Sequence, residues 1–316
     1  MLYKLLLYPA RIAVHFYCRK IVINHSDLLL ERGPMILAAN HPNSFLDAII
    51  LASIFKSPIY SLARGDAFAG KLVTKILQSF NMMPVYRVSE GVGNLEHNYT
   101  TFHACQELFE KNKIVLIFSE GRCINEWHLR PLKKGTARLA LTAWHHDIPL
   151  KVLPLGINYN SFRKFGKVIH LNFGKMINKA DIHQDHFQGK AINEFNAELK
   201  SQLEGLVYEI GKNDKTKLAE YFKVTPSPAK KIALSIPAFI GCILNAPLYF
   251  LIHLIIKNRA NDHYDSVMTG LLFLFYPLYV VFIPLSVFFI NGSAIALLLL
   301  LIFPLTALSL LHFRNY

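Results

Sequence analysis

The chain has 316 residues, of which 53% are hydrophobic, and a formal net charge of +13. This length allows one sizeable α/β domain and a further segment, and the positive charge favours nucleic acid, anionic lipid or phosphorylated substrates as partners. The four cysteines are scattered without metal-ligand spacing, which excludes a cysteine-based metal site and predicts reduced thiols in a protein that faces the cytosol. Long apolar stretches in the same chain favour lipid, so we expect no nucleic-acid partner.

The first segment of the chain is both apolar and basic. Residues 2–23 mix aliphatic and aromatic side chains with four basic residues, and Pro9 interrupts them. This charge is high for a membrane-spanning helix, and we expect residues 1–30 to form a helix that lies in the membrane interface. The alternative is an amphipathic helix that packs on the protein's own core.

A histidine and an aspartate follow the first predicted strand. The apolar run at residues 35–39 predicts a buried strand, which gives way to a polar turn and then to a helical pattern. His41 then lies at the end of the strand and Asp47 in the first turn of the helix, where an acid suits the helix dipole. Asp47 can accept a hydrogen bond from the imidazole and leave its other nitrogen as a general base. Alternatively, Asn43 or Ser44 caps the helix and Asp47 is a solvated acid.

Strand and helix patterns then alternate, which predicts an α/β domain with a mostly parallel central sheet flanked by helices. The continuous apolar run at residues 113–118 is typical of an interior strand. Parallel sheets place their sites at the carboxyl ends of strands, where we expect His41, Arg87 and Glu120. Further strands are predicted at residues 58–63, 83–86, 150–158 and 168–173, and helices at residues 71–80, 99–111, 135–145 and 191–210.

The chain divides by composition into a catalytic domain over residues 31–211, a polar linker over residues 212–231 and C-terminal transmembrane helices over residues 232–316. Three apolar stretches in the last part have about the length that spans a bilayer, and two or three of them are expected to cross it. The alternative is a pair of buried helices in a large soluble domain. Lys230 and Lys231 favour a cytoplasmic location for the amino end of the first apolar stretch, although basic residues further along weaken this assignment. The stretches are residues 232–256, 267–290 and 294–311.

Four short segments resemble the sequence blocks of the glycerolipid acyltransferase family, which acylates glycerol-3-phosphate and lysophosphatidic acid. The family usually has four residues between the His and the Asp of its first block, where this chain has five. It has Gly where this chain has Asn81, a residue that also tolerates the left-handed conformation, and Pro where this chain has Ser119. The segments are Asn40-His-Pro-Asn-Ser-Phe-Leu-Asp47, Asn81-Met-Met-Pro-Val-Tyr-Arg87, Phe118-Ser-Glu-Gly121 and Val152-Leu-Pro-Leu-Gly-Ile157.

The resemblance covers about residues 30–175 and implies acyl transfer to an alcohol, which agrees with the roles assigned from the residues. Such a transfer needs a base to take the proton of the alcohol as it attacks a thioester; His41 is the candidate, and Asp47 orients it. The sequence has no Gly-x-Ser-x-Gly pattern of an acyl-enzyme nucleophile, so we expect direct attack by the bound alcohol.

A phosphate on the acceptor needs cationic donors. Arg87 and Arg122 can give forked hydrogen bonds, and Lys133 and Lys134 precede a predicted helix whose free N–H groups are a further anion site. The family resemblance implies that Glu120, together with Gly121, lies in the acceptor site.

These substrate-binding assignments also have structural alternatives. In these alternatives, Arg87 is a structural ion-pair partner of Glu90, the Glu120-Gly121 pair is a plain turn after a strand, and the two lysines are a solvated surface pair.

The sequence therefore predicts a membrane-bound O-acyltransferase of phospholipid synthesis that moves a fatty acyl group from acyl-CoA or acyl-carrier protein to lysophosphatidic acid, giving phosphatidic acid. We expect no cofactor beyond this co-substrate, no metal, and a catalytic domain on the cytoplasmic face. Alternative acceptors are glycerol-3-phosphate and other lysolipids, and an alternative of another class is a catalytically silent lipid-binding or membrane scaffold protein. The C-terminal segment is expected to act mainly as an anchor, because no charged residue lies centrally in its apolar stretches.

Overall fold

The computed structural model describes residues 2–86, 95–183 and 188–314. Its centre is a seven-stranded sheet built from β1 (Cys18–Ile23), β2 (Met35–Ala39), β3 (Ile59–Arg64), β4 (Met82–Val85), β5 (Ile114–Phe118), β6 (Lys151–Tyr159) and β7 (Lys167–Phe173). The order across the sheet is β1-β7-β6-β2-β5-β3-β4. β6 and β7 pair antiparallel, and the other neighbours in this sheet pair parallel. The predicted mostly parallel sheet is confirmed.

Helices cover both faces of this sheet, and its central strand β2 is therefore buried on both sides. Met35, Leu37 and Ala39 of β2 belong to one apolar cluster, and Ile36 and Ala38 belong to the other. This burial accounts for the uninterrupted apolar run of β2, since alternate side chains of a strand point to opposite faces. The helices are α1 (Leu2–Tyr17), α2 (Phe45–Ile54), α3 (Lys71–Ser79), α4 (Leu95–Glu110), α5 (Gly135–His145), α6 (Gln188–Leu206), α7 (Lys215–Phe222), α8 (Pro228–Ile256), α9 (Tyr264–Asn291) and α10 (Leu299–Phe313).

The N-terminal helix is shorter than the sequence predicted. It ends at Tyr17, and the next six residues form the edge strand β1, which pairs parallel with β7. The run Ile21-Val22-Ile23 is β-branched and favours a strand, but the apolar pattern of α1 continues into it and hides the change. The prediction of a single helix over residues 1–30 is therefore wrong. The position of α1 in a membrane interface stays a prediction.

The segment predicted as a polar linker, residues 212–231, contains the helix α7 and the start of α8. Phe222 of α7 is 2% exposed and packs with Val168 of β7 and with Ile210. Leu218 and Val224 pack against the same cluster, so part of this segment packs onto the sheet domain through a few apolar side chains in a polar stretch.

Three C-terminal helices, α8, α9 and the unit of residues 294–313, are long and apolar enough to cross a membrane. Large apolar side chains on their surfaces are exposed, such as Ile236 at 72%, Leu278 at 64% and Phe289 at 78%. Exposed apolar area of this extent suggests a membrane association. α8 and α10 approach closely where Gly241 meets Thr306; a Cβ at this glycine would lie 2.3 Å from the Thr306 carbonyl oxygen.

Candidate active site

Two neighbouring parallel strands bring the first two site residues together. In β2 and β5, Ala39 is the register partner of Phe118, and each strand ends there. His41 and Glu120 each follow two residues later, so they meet at the carboxyl edge of the sheet. The backbone N–H of His41 donates a hydrogen bond of 2.8 Å to Glu120 Oε2. This is the edge where parallel α/β sheets carry their sites.

His41 and Asp47 are in contact. Nδ1 of His41 lies 2.9 Å from Oδ2 of Asp47, and the ring nitrogen is the donor because a carboxylate has no proton to give. The same oxygen accepts the backbone N–H of Asn43 at 2.9 Å, and Oδ1 accepts the hydroxyl of Tyr159 at 2.8 Å. Asp47 is fully buried, so these three donors replace the water that its carboxylate has lost.

Tyr159 keeps its proton in this arrangement. Burial raises the pKa of its hydroxyl well above the ordinary value, and the nearby Asp47 carboxylate raises it further. The hydroxyl is therefore a permanent donor to Asp47. Its position follows from the sheet, because β6 lies next to β2 and runs on to Tyr159, beyond the end of β2.

The imidazole of His41 is held flat against Phe118. The two ring centroids are 3.7 Å apart, with 12° between the planes, and the histidine side chain is 18% exposed. Nδ1 faces Asp47, and across residues 2–86, 95–183 and 188–314 no hydrogen bond to Nε2 is found. The ring therefore has one nitrogen fixed in the protein and the other available to a substrate proton, as a general base requires.

The chain between His41 and Asp47 passes through a strained turn. Ser44 has φ 55° and ψ −137°, a combination that non-glycine residues rarely adopt and that costs about 1–3 kcal/mol. Its hydroxyl lies 2.7 Å from Nδ1 of His263. The five intervening residues thus reach Asp47 in a conformation that other parts of the chain have to hold.

Glu120 faces the backbone of two loops. The residue is 5% exposed; its Oε2 accepts the N–H of His41, and its Oε1 accepts the N–H of Arg130 at 2.8 Å. Burial raises the pKa of the Glu120 carboxyl, and the two backbone hydrogen bonds oppose that rise. Glu120 fixes the loop that carries His41. Its expected contact with a substrate stays a prediction.

The predicted cationic residues that the structure describes lie on the surface of the loop after β5 and at the start of α5. Gly121 has φ 65° and lies under Lys133; a Cβ there would be 3.0 Å from Cγ of that lysine. The N–H of Lys133 donates to the carbonyl of Ser119 at 2.8 Å, and Lys134 is the N-cap residue of α5. Arg122, Lys133 and Lys134 are exposed. Arg87 lies outside the described residues, so its predicted role stays untested.

The two single-residue departures from the family pattern, Asn81 and Ser119, each fit their local structure. Asn81 has φ 59°, which is the left-handed conformation. Asparagine tolerates this conformation, so it can stand where the family has glycine. Ser119 is 2% exposed, and its hydroxyl lies 3.0 Å from that of Thr136, so the buried polar group is satisfied.

Sequence reasoning missed two residues that bind Asp47. Tyr159 was part of no motif, and Asn43 was considered only as a helix cap. The rule that places sites at the carboxyl ends of parallel strands points to Tyr159, which ends the strand next to β2. The signal for Asn43 is weaker, since its backbone N–H reaches Asp47 through the unusual turn at Ser44.

Comparison with known proteins adds an independent observation. The family model described as Acyltransferase matches residues 20–158, a range that includes His41, Asp47 and Glu120. Among solved structures, the chain is similar to the crystal structure of the 1-acyl-sn-glycerophosphate (LPA) acyltransferase PlsC from Thermotoga maritima, with 13% sequence identity and a TM-score of 0.47 over 65% of this chain and 78% of that chain. No curated protein matches the chain. Residues 20–158, somewhat less than half of the chain, therefore match the acyltransferase family model, and this match supports an acyltransferase enzyme.

Proposed function

We propose that this acyltransferase moves a fatty acyl group from acyl-CoA or acyl-carrier protein to the free hydroxyl of lysophosphatidic acid, giving phosphatidic acid in phospholipid synthesis. The observation that carries the proposal is the 2.9 Å contact of His41 with the buried Asp47. The histidine side chain is 18% exposed at the edge of the sheet, and we propose that the acceptor alcohol approaches its other nitrogen there. The three apolar helices supply the association with a membrane that such an acceptor requires.

In the proposed reaction, Nε2 of His41 takes the proton of the acceptor hydroxyl as its oxygen attacks the thioester carbonyl carbon. Asp47 keeps Nδ1 protonated and stabilises the imidazolium that forms. The tetrahedral intermediate then collapses, the carbon–sulfur bond breaks, and the imidazolium returns the proton to the leaving thiolate. The products are the ester and the free thiol of the carrier, and no acyl-enzyme is formed.

The acceptor's phosphate would bind to the exposed cationic residues. Arg122, Lys133 and Lys134 lie around the loop whose Glu120 holds His41, and a phosphate next to Lys134 would face the first N–H groups of α5. Arg87 is a further proposed donor. Both acyl carriers occur in the cytosol, so we place the catalytic domain on the cytoplasmic face, in agreement with Lys230 and Lys231 before the apolar part of α8.

The proposal is tested by acyl transfer in purified membranes, from labelled acyl-CoA and acyl-carrier protein to a panel of acceptors. Wild type, His41→Ala and the control His103→Ala would be compared; the control removes a histidine of α4 whose side chain is 77% exposed. We expect wild type and the control to acylate lysophosphatidic acid, and His41→Ala to lose activity by about 10²-fold or more while still inserted. An active His41→Ala enzyme would overturn the mechanism.

The acceptor panel tests the substrate separately from the mechanism. It would contain lysophosphatidic acid, glycerol-3-phosphate and lysophospholipids with larger headgroups. A clear preference for water-soluble glycerol-3-phosphate, or for another lysolipid, would overturn the assigned acceptor and leave the role of His41 in place.

A further inference from the structure

A buried aspartate connects the C-terminal helices to the active site. Asp265, in the first turn of α9, is fully buried and forms an ion pair with Lys167, which is also fully buried. Its Oδ1 accepts the hydroxyl of Tyr17 at 2.9 Å, and its Oδ2 accepts the side-chain amide of Asn43 at 3.0 Å. Three donors from three different elements thus converge on one carboxylate at the amino end of an apolar helix.

Asn43 bonds both buried carboxylates at once. Its side chain donates to Asp265, and its backbone N–H donates to the oxygen of Asp47 that also binds His41. Asn43 is fully buried, so water does not compete for these groups. A displacement of Asp265 would therefore move Asn43 and, through it, change the hydrogen bonding of Asp47.

The side chain of Ser266 hydrogen-bonds to backbone groups of the turn that contains Asn43 and Ser44. Its hydroxyl donates to the carbonyl of Asn43 at 3.1 Å and accepts the N–H of Leu46 at 3.0 Å. These two groups flank Ser44, the residue with the unfavourable φ and ψ. A strained turn persists only where its surroundings hold it, and Ser266 supplies two of the bonds that do so.

The residues just before α9 bind a second loop of the site. Oδ1 of Asp262 accepts the N–H of Asn125 at 3.2 Å, and its carbonyl accepts the side-chain amide of Asn125 at 3.1 Å. The same amide donates to the carbonyl of Pro42 at 2.7 Å. The contacts of residues 262–266 therefore converge on the chain between His41 and Asp47.

We propose that residues 262–266, which comprise the end of the connection between α8 and α9 and the first turn of α9, are a positioning element of acyl transfer and that Ser266 is a positioning residue within it. The inference rests on the proposed role of His41 as the base. The element holds the Asn43–Ser44 turn so that Asp47 keeps the imidazole aligned with the acceptor hydroxyl. Because a small misplacement of a catalytic group can lower the rate greatly, loss of this support reduces turnover without removing any group that touches substrate.

The test compares single-residue variants of the full-length protein in membranes. Ser266→Ala removes the two hydrogen bonds to the turn, and Ser266→Thr retains a hydroxyl at the same place. Ser309→Ala is the matched control, since that partly buried serine bonds the Leu305 carbonyl of its own helix α10. Membrane insertion and thermal unfolding in detergent are measured for each variant. We expect Ser266→Ala to lower kcat by about 10- to 100-fold with KM for lysophosphatidic acid unchanged, Ser266→Thr to restore most of kcat, and Ser309→Ala to match wild type.

The outcomes separate this inference from the proposed function. Wild-type kcat in Ser266→Ala, with His41→Ala inactive, would overturn the positioning role and leave the base assignment standing. A change in KM alone, or an equal loss of kcat in Ser309→Ala, would also overturn it, because either result assigns the effect to binding or to the helices in general. An active His41→Ala enzyme would instead remove the proposed function on which the inference rests.

Discussion

Two regions of the candidate site differ in burial: the carboxylate of Asp47 is enclosed by the protein, whereas the side chains of Lys133 and Lys134 face solvent. Asp47 is fully buried and accepts three hydrogen bonds from His41, Asn43 and Tyr159. The two lysine side chains are exposed to solvent. The groups around Asp47 are thus organised before a substrate binds, while the exposed lysines, which we propose bind the acceptor's phosphate, are not held in this way. Substitutions around Asp47 should change turnover, and substitutions of the lysines should change binding.

The largest expected effect comes from Asp47→Asn. Asparagine keeps the shape: its oxygen can still accept from His41 and Asn43, and its amide can donate to the oxygen of Tyr159. The negative charge that stabilises the imidazolium is lost, so we expect kcat to fall on the order of 10²- to 10⁴-fold with little change in KM. Steady-state acyl transfer measures both constants. A variant with wild-type kcat would show that no imidazolium forms at His41.

The lysine pair is tested by the double variant Lys133→Ala with Lys134→Ala. Loss of two charge-assisted contacts should raise KM for lysophosphatidic acid by about 10-fold or more and leave kcat nearly unchanged. An uncharged acceptor, monoacylglycerol, should show no such change in KM. The control is Lys212→Ala, which removes an exposed lysine beyond the carboxyl end of α6. An equal rise in KM for lysophosphatidic acid and monoacylglycerol would show that these lysines do not bind the phosphate.

A smaller effect is expected from Tyr159→Phe, which removes one of the three donors to Asp47 and keeps the ring. A hydrogen bond to a buried charged group contributes about 1.5–3 kcal/mol, so the free energy of unfolding should fall by about that amount. We expect kcat to fall by about 3- to 10-fold, because His41 and Asn43 still hold the carboxylate. Chemical denaturation and steady-state kinetics give the two numbers. An unchanged stability would mean that water replaces the hydroxyl at this position.

The smallest effect concerns pH and Glu120. Burial raises the pKa of its carboxyl in the folded protein, so between the unfolded and the folded pKa the native state holds more protons than the unfolded chain. The stability contributed by this group therefore decreases as pH rises through that interval. Glu120→Gln should remove this part of the pH dependence, so the Tm of the variant should fall less than that of wild type as pH rises through this interval. Parallel curves for the two proteins would contradict the raised pKa.

Much of the fold followed from local patterns in the sequence. The apolar run of β2 and the polar turn after it placed His41 at the end of a strand, and the predicted helix put Asp47 in the first turn of α2. The contact between them follows from this local geometry. The left-handed Asn81 was predictable for the same reason, because backbone preferences of single residues act over short distances.

The partners of Asp47 and of Asp265 could not be predicted in this way. Tyr159 lies 112 residues from Asp47 along the chain, and Asp265 lies 222 residues from Asn43. Such contacts depend on strand order and on how α9 packs against the sheet domain, neither of which leaves a local pattern. A charged residue in the first turn of an apolar helix is usually taken as a marker of the membrane surface, and Asp265 has no sequence feature that distinguishes its buried position.

The direct junction of α1 and β1 ties the helix that we expect in the membrane interface to the central sheet. Tyr17 is the last residue of the helix and Cys18 the first of the strand, so no hinge separates them. On α1, Leu5, Tyr8 and Ile12 are 60–71% exposed, while Arg11 donates to the Ser53 carbonyl of α2 at 2.8 Å. When this exposed face enters the lipid surface, the sheet and His41 are carried with it as one body. The depth of the acceptor hydroxyl within the leaflet then becomes a criterion of substrate choice.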